Sequence, residues 1–305
     1  MEFTGVTFSG GVLVIPPPPP IQYGWFGGGN VPGVSLIDRI DYAQDTNTAT
    51  VRGPLSVGRY GLTATGNNDY GWFGGGNSVS LVQRITYSAD TATASQRGSL
   101  TSNRIYLSAT GNTEYGWFAG GQGALSTVDR VTYATDSATA SVRGPLSSAR
   151  YFLAATGNSS YGWFGGGFPG PVSLVNRIDY AVDTATASVR GPLSSTAREP
   201  SATGNSSYGW FIGRTAGSRI DRIDYAADTA TASVRGPLSV AQINYYSMAA
   251  TGSSDYGYVG GGYNAPTNQS TVSRIDYAND TGTAGARSQL SLGRELLAAT
   301  GGFPG

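Results

Sequence analysis

The residues able to do chemistry in this chain are few, and their types are unusual. All nineteen cationic side chains are Arg, nineteen are acidic, and none of the 305 residues is His, Cys or Lys. No Ser-His-Asp or Cys-His triad, His- or Cys-ligated zinc, dithiol redox pair or lysine Schiff base can be assembled from this set. Acid–base chemistry falls to the carboxylates. The four Glu (Glu2, Glu114, Glu199, Glu295) are scattered along the chain, whereas a glycosidase gathers two carboxylates in one cleft. Most Asp residues recur at a fixed interval, which marks them as structural. These absences predict that the chain is not an enzyme and holds no metal or cofactor. Zero net charge without basic runs argues against a nucleic-acid partner. No apolar stretch approaches the ~18 residues that span a bilayer, so no membrane insertion is expected. The opening MEFTGVTFSGG lacks the pattern of a signal peptide.

The elements that must carry these residues follow from a repeat. Tyr-Gly-Trp-Phe-Gly-Gly-Gly starts at Tyr23 and returns, with small changes, at Tyr70, Tyr115, Tyr161, Tyr208 and Tyr256, a period of 45–48 residues. Such a period signals a propeller or solenoid. Around Tyr161 four short runs read as strands, 150–156, 161–164, 174–180 and 184–190, separated by Gly, Asn, Asp and Ser. Four strands per repeat make one propeller blade. The first blade begins at its second strand, and 294–300 is a spare first strand, so the last segment completes the first blade and no sheet edge is left open. The expected fold is an all-β, six-bladed propeller over 21–305. Before it come an N-terminal hairpin (1–15) and a polyproline II spacer (16–20) of roughly 15 Å.

The unit resembles the kelch repeat. The residues that carry the likeness are Arg150 near the start of strand one, Gly165-Gly166 ending strand two and Tyr180 closing strand three, and it extends over 23–301. One feature departs from it. The kelch Trp after the strand-three turn is replaced by Ala and Ser, as in 184–188, and all five Trp (Trp25, Trp72, Trp117, Trp163, Trp210) lie on strand two, with Tyr258 in the sixth copy. Packing between blades must therefore be arranged differently. Some kelch propellers are oxidases, but those use copper ligands including His and Cys. The blade wording and the Phe-Thr-Gly-Val-Thr-Phe-Ser-Gly-Gly start are also similar to repeat proteins of marine tailed phages, notably cyanophages. That similarity implies an appendage or decoration protein on the virion surface, assembled in the host cytoplasm. A bacterial surface adhesin or a kelch-type interaction scaffold is the alternative reading, and a glycan-acting enzyme a third.

Each recurrent residue has an expected place. The Trp-Phe pairs face neighbouring blades. Arg-Ile-Asp-Tyr of strand three puts Arg and Asp on one face, where the Arg needs paired acceptors. Asp45, Asp90, Asp136, Asp183, Asp228 and Asp280 occupy turns in which the carboxylate caps backbone N–H groups. The strand-one Arg residues (Arg59, Arg104, Arg150, Arg294, and Arg198 displaced by one) either ring the channel mouth and attract anions or brace the next blade's backbone.

The copies differ most in the loop after the glycines and in the linker from strand four to strand one, which share one face of a propeller. Candidate binding residues there are Asn30, Gln122, Phe168, Arg214, Tyr263, Asn264 and Asn268. The aromatic ones suit stacking on the sugars of a cell-surface glycan, and the amides and Arg214 suit hydroxyl or acidic groups. Phe3, Val6, Phe8, Val12 and Val14 alternate around a glycine turn, and residues 1–20 are expected to anchor the propeller to other virion proteins by strand addition.

Overall fold

The computed structural model describes residues 7–9, 12–14, 22–30, 33–170, 172–214, 219–239 and 246–302. Its propeller is built of six four-stranded antiparallel sheets, each inner strand lying against the next and the sixth against the first. Blade 4 is typical: Ala154–Gly157, Tyr161–Gly165, Val175–Asp179 and Ser188–Arg190. The strands are shorter than the sequence pattern suggests, for local reasons. Phe152 takes a left-handed φ of 54°, so the inner strand cannot begin before it. The chain leaves strand three as a 3-10 turn, Tyr180–Val182, with Asp179 accepting from the Ala181 N–H. Pro192 then stops the outer strand, because it has no N–H for the ladder. Blade 2 has Gly98-Ser99 in place of Gly-Pro, and its outer strand runs on over Ser95–Arg104.

The ring closes as expected. Ala298–Gly301 pairs with Tyr23–Gly27, from Ala298 opposite Gly27 to Gly301 opposite Gly24. Thr7–Ser9 and Val12–Val14 pair antiparallel in a separate hairpin that contains Phe8, Val12 and Val14. The other expected anchor residues, Phe3 and Val6, and the spacer 16–20 lie outside the described residues.

The core consists of the joints between blades. At the joint of blades 3 and 4, Trp117 stacks on Tyr180 with ring centroids 3.8 Å apart and donates through Nε1 to Asp183 Oδ2 at 2.9 Å. Arg130 donates to the same oxygen at 3.0 Å and lies over the Tyr115 ring, and Arg143 Nε approaches at 3.4 Å. The Tyr180 hydroxyl meets Thr110 Oγ1 at 3.1 Å, and its burial pushes its pKa up. The expectation that these six Asp cap their own turns is corrected: each reaches back across the joint. Asp90 takes Trp25, Arg39 and Arg52; Asp136 takes Trp72, Arg84 and Arg97. Asp228 takes Trp163, Arg177 and Arg190; Asp280 takes Trp210, Arg222 and Arg235. At the closing joint Tyr258 replaces Trp, donating to Asp45 at 3.1 Å beside Arg274 at 2.8 Å.

This close approach dictates the glycine after each strand-two Tyr. A Cβ on Gly162 would stand 2.5 Å from Thr110 Cγ2 and 2.7 Å from the Tyr180 oxygen. The strand-two Phe points the other way, onto the preceding blade. Phe73 covers Gly27, Phe118 covers Gly74, Phe211 covers Gly165 and Phe26 covers Gly260. Between blades 5 and 6 the pair is instead Ile212 and Val259, both fully buried in one cluster.

Candidate functional site

Each inner strand is reached through a linker from the blade before, and the strand-one Arg sits on that linker. Arg59, Arg104, Arg150 and Arg294 are at most 2% exposed. The Arg59 carbonyl accepts from Gly29 N–H of blade 1, while its guanidinium enters blade 2. There Nη1 donates to the Gly75 and Leu81 carbonyls and Nη2 to Gln83 Oε1 at 2.8 Å. Asn176 takes the Gln83 role for Arg150 at 2.7 Å, Asp129 for Arg104 at 2.5 Å and Asp38 for Arg294 at 2.8 Å. Burial pushes these guanidinium groups down, to about 10 for Arg59 and Arg150, whose side-chain partners are neutral amides. Of the two readings of these four Arg, a ring at the channel mouth is corrected and bracing of the next blade is what the contacts show. They brace the blade backbone, and their Nη groups are engaged with carbonyl, amide and carboxylate oxygens.

Arg198 behaves differently. Ala197 takes its backbone slot, donating to Val172 O and accepting from Gly167 N–H, and Arg219 supplies the cation for Asp221 at 3.0 and 3.3 Å. Arg198 itself is half exposed, donates to Glu199 Oε1 at 3.0 Å and lies 5.5 Å from the centre of the Phe168 ring.

Two residues beyond the Arg slot, every blade turns through a left-handed conformation. Gly61, Tyr106, Phe152, Glu199, Ser247 and Leu296 have φ between 51° and 64°. Their backbones form a belt around the channel. Gly61 N–H donates to Leu296 O, Tyr106 N–H to Gly61 O, Phe152 N–H to Tyr106 O and Leu296 N–H to Ser247 O, all at 2.8–2.9 Å. Between blades 5 and 6 a side-chain bond runs from Ser247 Oγ to Glu199 Oε2 at 2.6 Å. The left-handed φ of the belt repeats six times, its backbone bonds span four of the six gaps, and its side chains do not repeat. They line a cavity of about 120 Å3 at this end of the channel, with Tyr106 and Phe152 stacked at 4.0 Å. Only glycine adopts this φ without strain, so the larger side chains stand there at a conformational cost.

The variable loops pack onto the residue just before the belt. Asn30 N–H donates to Glu295 O at 2.9 Å and its Nδ2 meets Glu295 Oε1 at 3.5 Å. Phe168 packs edge-on against Tyr151 at 5.3 Å, and Tyr263 against Tyr246 at 5.4 Å. Asn268 Nδ2 donates to Asn30 O at 3.1 Å; Asn264 sits with it in the small hairpin of Tyr263–Asn264 and Thr267–Asn268. Gln122 is exposed beside Ile105, bonded through its backbone. Arg214 ends the strand Tyr208–Arg214, and its side chain lies outside the described residues. Five of the expected binding residues thus gather around the mouth: Asn30, Phe168, Tyr263, Asn264 and Asn268.

Sequence reasoning passed over Glu199, Glu295, Tyr106, Tyr151, Phe152 and Tyr246. The signal available was the failure of the two positions after the strand-one Arg to repeat. It also took the Glu residues to be scattered, and for Glu199 and Glu295 this is corrected. Burial pushes the Glu295 carboxyl up, the Asn30 hydrogen bond lowers it, and the Glu199 charge raises it further. The Tyr106 hydroxyl is pushed up by burial first, then by Tyr60, Glu199 and Glu295. The mouth is a shared electrostatic site, with two carboxylates set against the single cation Arg198 among the described residues.

No family model matches the chain, and no curated protein matches it. Among solved structures, one titled "Structure of YjhT" superposes with a TM-score of 0.66 at 10% identity, over 81% of this chain and 88% of that one. At this identity the likeness shows the fold, and a β-propeller fits a binding or scaffold role. The expectation that the chain is not an enzyme is overturned. It took a propeller without His, Cys or Lys and with scattered carboxylates to be inert, but the fold is shared with YjhT, and two of those carboxylates lie near enough for the charge of Glu199 to raise the Glu295 carboxyl.

Proposed function

We propose that this propeller is a binding device displayed on a virion, an appendage or decoration protein that engages a host-surface glycan through its channel-mouth face. The observation that carries this reading is the confinement of sequence diversity to that mouth, on a body whose joints repeat nearly unchanged. Phe168, Tyr263 and the Tyr106–Phe152 pair offer stacking surfaces, and Asn30 and Asn268 offer amides for hydroxyl groups. A weak site repeated over many copies on a particle gains by avidity. The virion assignment is supported by the wording of the blades and by the N-terminal hairpin, whose place in this reading is to join other virion proteins through residues 1–20.

The test is the double variant Phe168→Ala/Tyr263→Ala. Adsorption to host cells should fall by about tenfold or more, as expected for the loss of stacking anchors, while the melting temperature stays within about 2 °C. Unchanged adsorption would remove the face from consideration. Absence of the protein from purified virions, checked by mass spectrometry, would remove the virion.

A further inference from the structure

We infer that the ligand of the channel-mouth face is a cationic amino sugar, a de-N-acetylated hexosamine whose ammonium group sits between Glu199 and Glu295 while its ring lies against the stacked Tyr106 and Phe152. This rests on the binding role proposed above and names the chemistry of the ligand.

The placement of charge is the first ground. Among the described side chains near this end of the channel, Arg59, Arg104, Arg150 and Arg294 are buried beneath the belt, with their Nη groups on backbone carbonyls and blade side chains. Arg198 is held by Glu199. Glu295 forms no ion pair among the described residues, and its carboxylate has only the long 3.5 Å contact from Asn30. A half-buried carboxylate so thinly partnered favours a donor that carries charge.

The second ground is the shape of the mouth. Glu199 on blade 5 and Glu295 on blade 1 flank blade 6, whose belt residue is the small Ser247. Ser247 Oγ donates to Glu199 Oε2, and its carbonyl accepts from Leu296, the residue after Glu295. The cavity is therefore lined by Glu199 and by the aromatic pair on blades 3 and 4, while Glu295 stands just outside it, next to the lining residue Leu296 and on the far side of the small Ser247 from Glu199. The electron-rich faces of Tyr106 and Phe152 attract an ammonium-bearing ring as well as its apolar face. A neutral N-acetyl sugar would leave Glu295 without a charged partner, and an acidic sugar would meet like charge.

Titration calorimetry of the full chain near neutral pH separates the outcomes, using the β-1,4-linked glucosamine tetramer, its N-acetylated counterpart and a galacturonic acid tetramer. The glucosamine tetramer should bind at least about tenfold more tightly than the other two, the size of one charge-assisted hydrogen bond. Glu295→Gln should abolish that preference and Glu295→Asp should retain part of it. Equal or tighter binding of either other tetramer, or no binding of the glucosamine tetramer, would overturn the inference. Oligolysine binding more tightly than the glucosamine tetramer would assign the ammonium to a protein partner and likewise overturn it. Adsorption that still depends on Phe168 and Tyr263 in any of these cases would leave the binding face standing; adsorption indifferent to them would remove that face itself.

Discussion

The blade joints and the channel mouth are built on one six-fold backbone, and they differ in what they allow to vary. At the joints Trp, Tyr, Asp and two Arg recur in five of the six places, and the sixth substitutes Tyr258 for Trp while keeping the hydrogen bond to Asp45. Each Asp there holds an indole N–H and guanidinium groups in a site from which water is largely excluded. Losing any member would strand a buried polar group. At the mouth the left-handed φ and the backbone bonds recur, yet the side chains run through Gly61, Tyr106, Phe152, Glu199, Ser247 and Leu296. Folding alone would favour glycine at all six positions. Variation maintained against conformational cost points to a task other than folding.

The most severe test of this contrast sets a joint against the belt. Asp183→Ala leaves Trp117 Nε1, Arg130 and Arg143 without their common acceptor, and should lower stability by about 3–5 kcal/mol. Phe152→Gly removes a half-buried ring from the belt but relieves its φ of 54°, so the two effects should leave stability within about 1 kcal/mol of the parent. Urea unfolding measures both. A belt variant as damaging as the joint variant would mean that the mouth side chains also hold the fold.

At the joint between blades 5 and 6 the packing rule is kept while the residues change. Elsewhere a Phe covers a Gly, or Ala119 in the case of Phe164; here Ile212 faces Val259. Ile212→Ala should cost about 2–5 kcal/mol through the cavity it leaves. Val259→Phe should cost about 1–3 kcal/mol by overpacking. The double variant should recover most of the loss, and thermal melts of the four proteins give the coupling. Simple additivity would show that volume is not shared across this joint.

What the sequence revealed, and what it concealed, follows the same division. Period, blade count and closure were legible because Tyr-Gly-Trp-Phe and Ala-Thr-Gly recur at the interval of one blade, and the spare first strand at 294–300 completes the first blade. The role of Asp183 was concealed because its partners Trp117 and Arg130 lie 66 and 53 residues away, while turn chemistry alone accounts for an Asp beside Thr. Arg150 stood between two readings for a related reason. A cation at the start of an inner strand reads as a lining residue until its reach to the Gly166 and Leu174 carbonyls is seen. The mouth was half legible. Loop variation located Phe168 and Tyr263, but Phe152 and Glu199 looked like ordinary members of a strand, and only their positive φ turns them onto the belt.

The smallest expected effect bears most directly on whether the mouth belongs to the fold or to the ligand. Burial and the Glu199 charge together hold the Glu295 carboxyl above its ordinary value, against the pull of Asn30. A carboxyl that keeps its proton more tightly when folded stabilises the protein at pH below its unfolded value, and that contribution is lost as pH rises through the folded value. At pH 7 the ionised Glu295 is therefore a burden on the fold, a modest one because the group is partly exposed to solvent. Glu295→Gln should raise the melting midpoint at pH 7 by about 1 °C, and the gain should disappear below about pH 4. The same variant is expected to lose the preference for an amino sugar, so stability and binding would move in opposite directions, as they do where a site is kept at the fold's expense. A midpoint that falls at pH 7 would place Glu295 with the joint carboxylates, as a residue retained for holding the ring together.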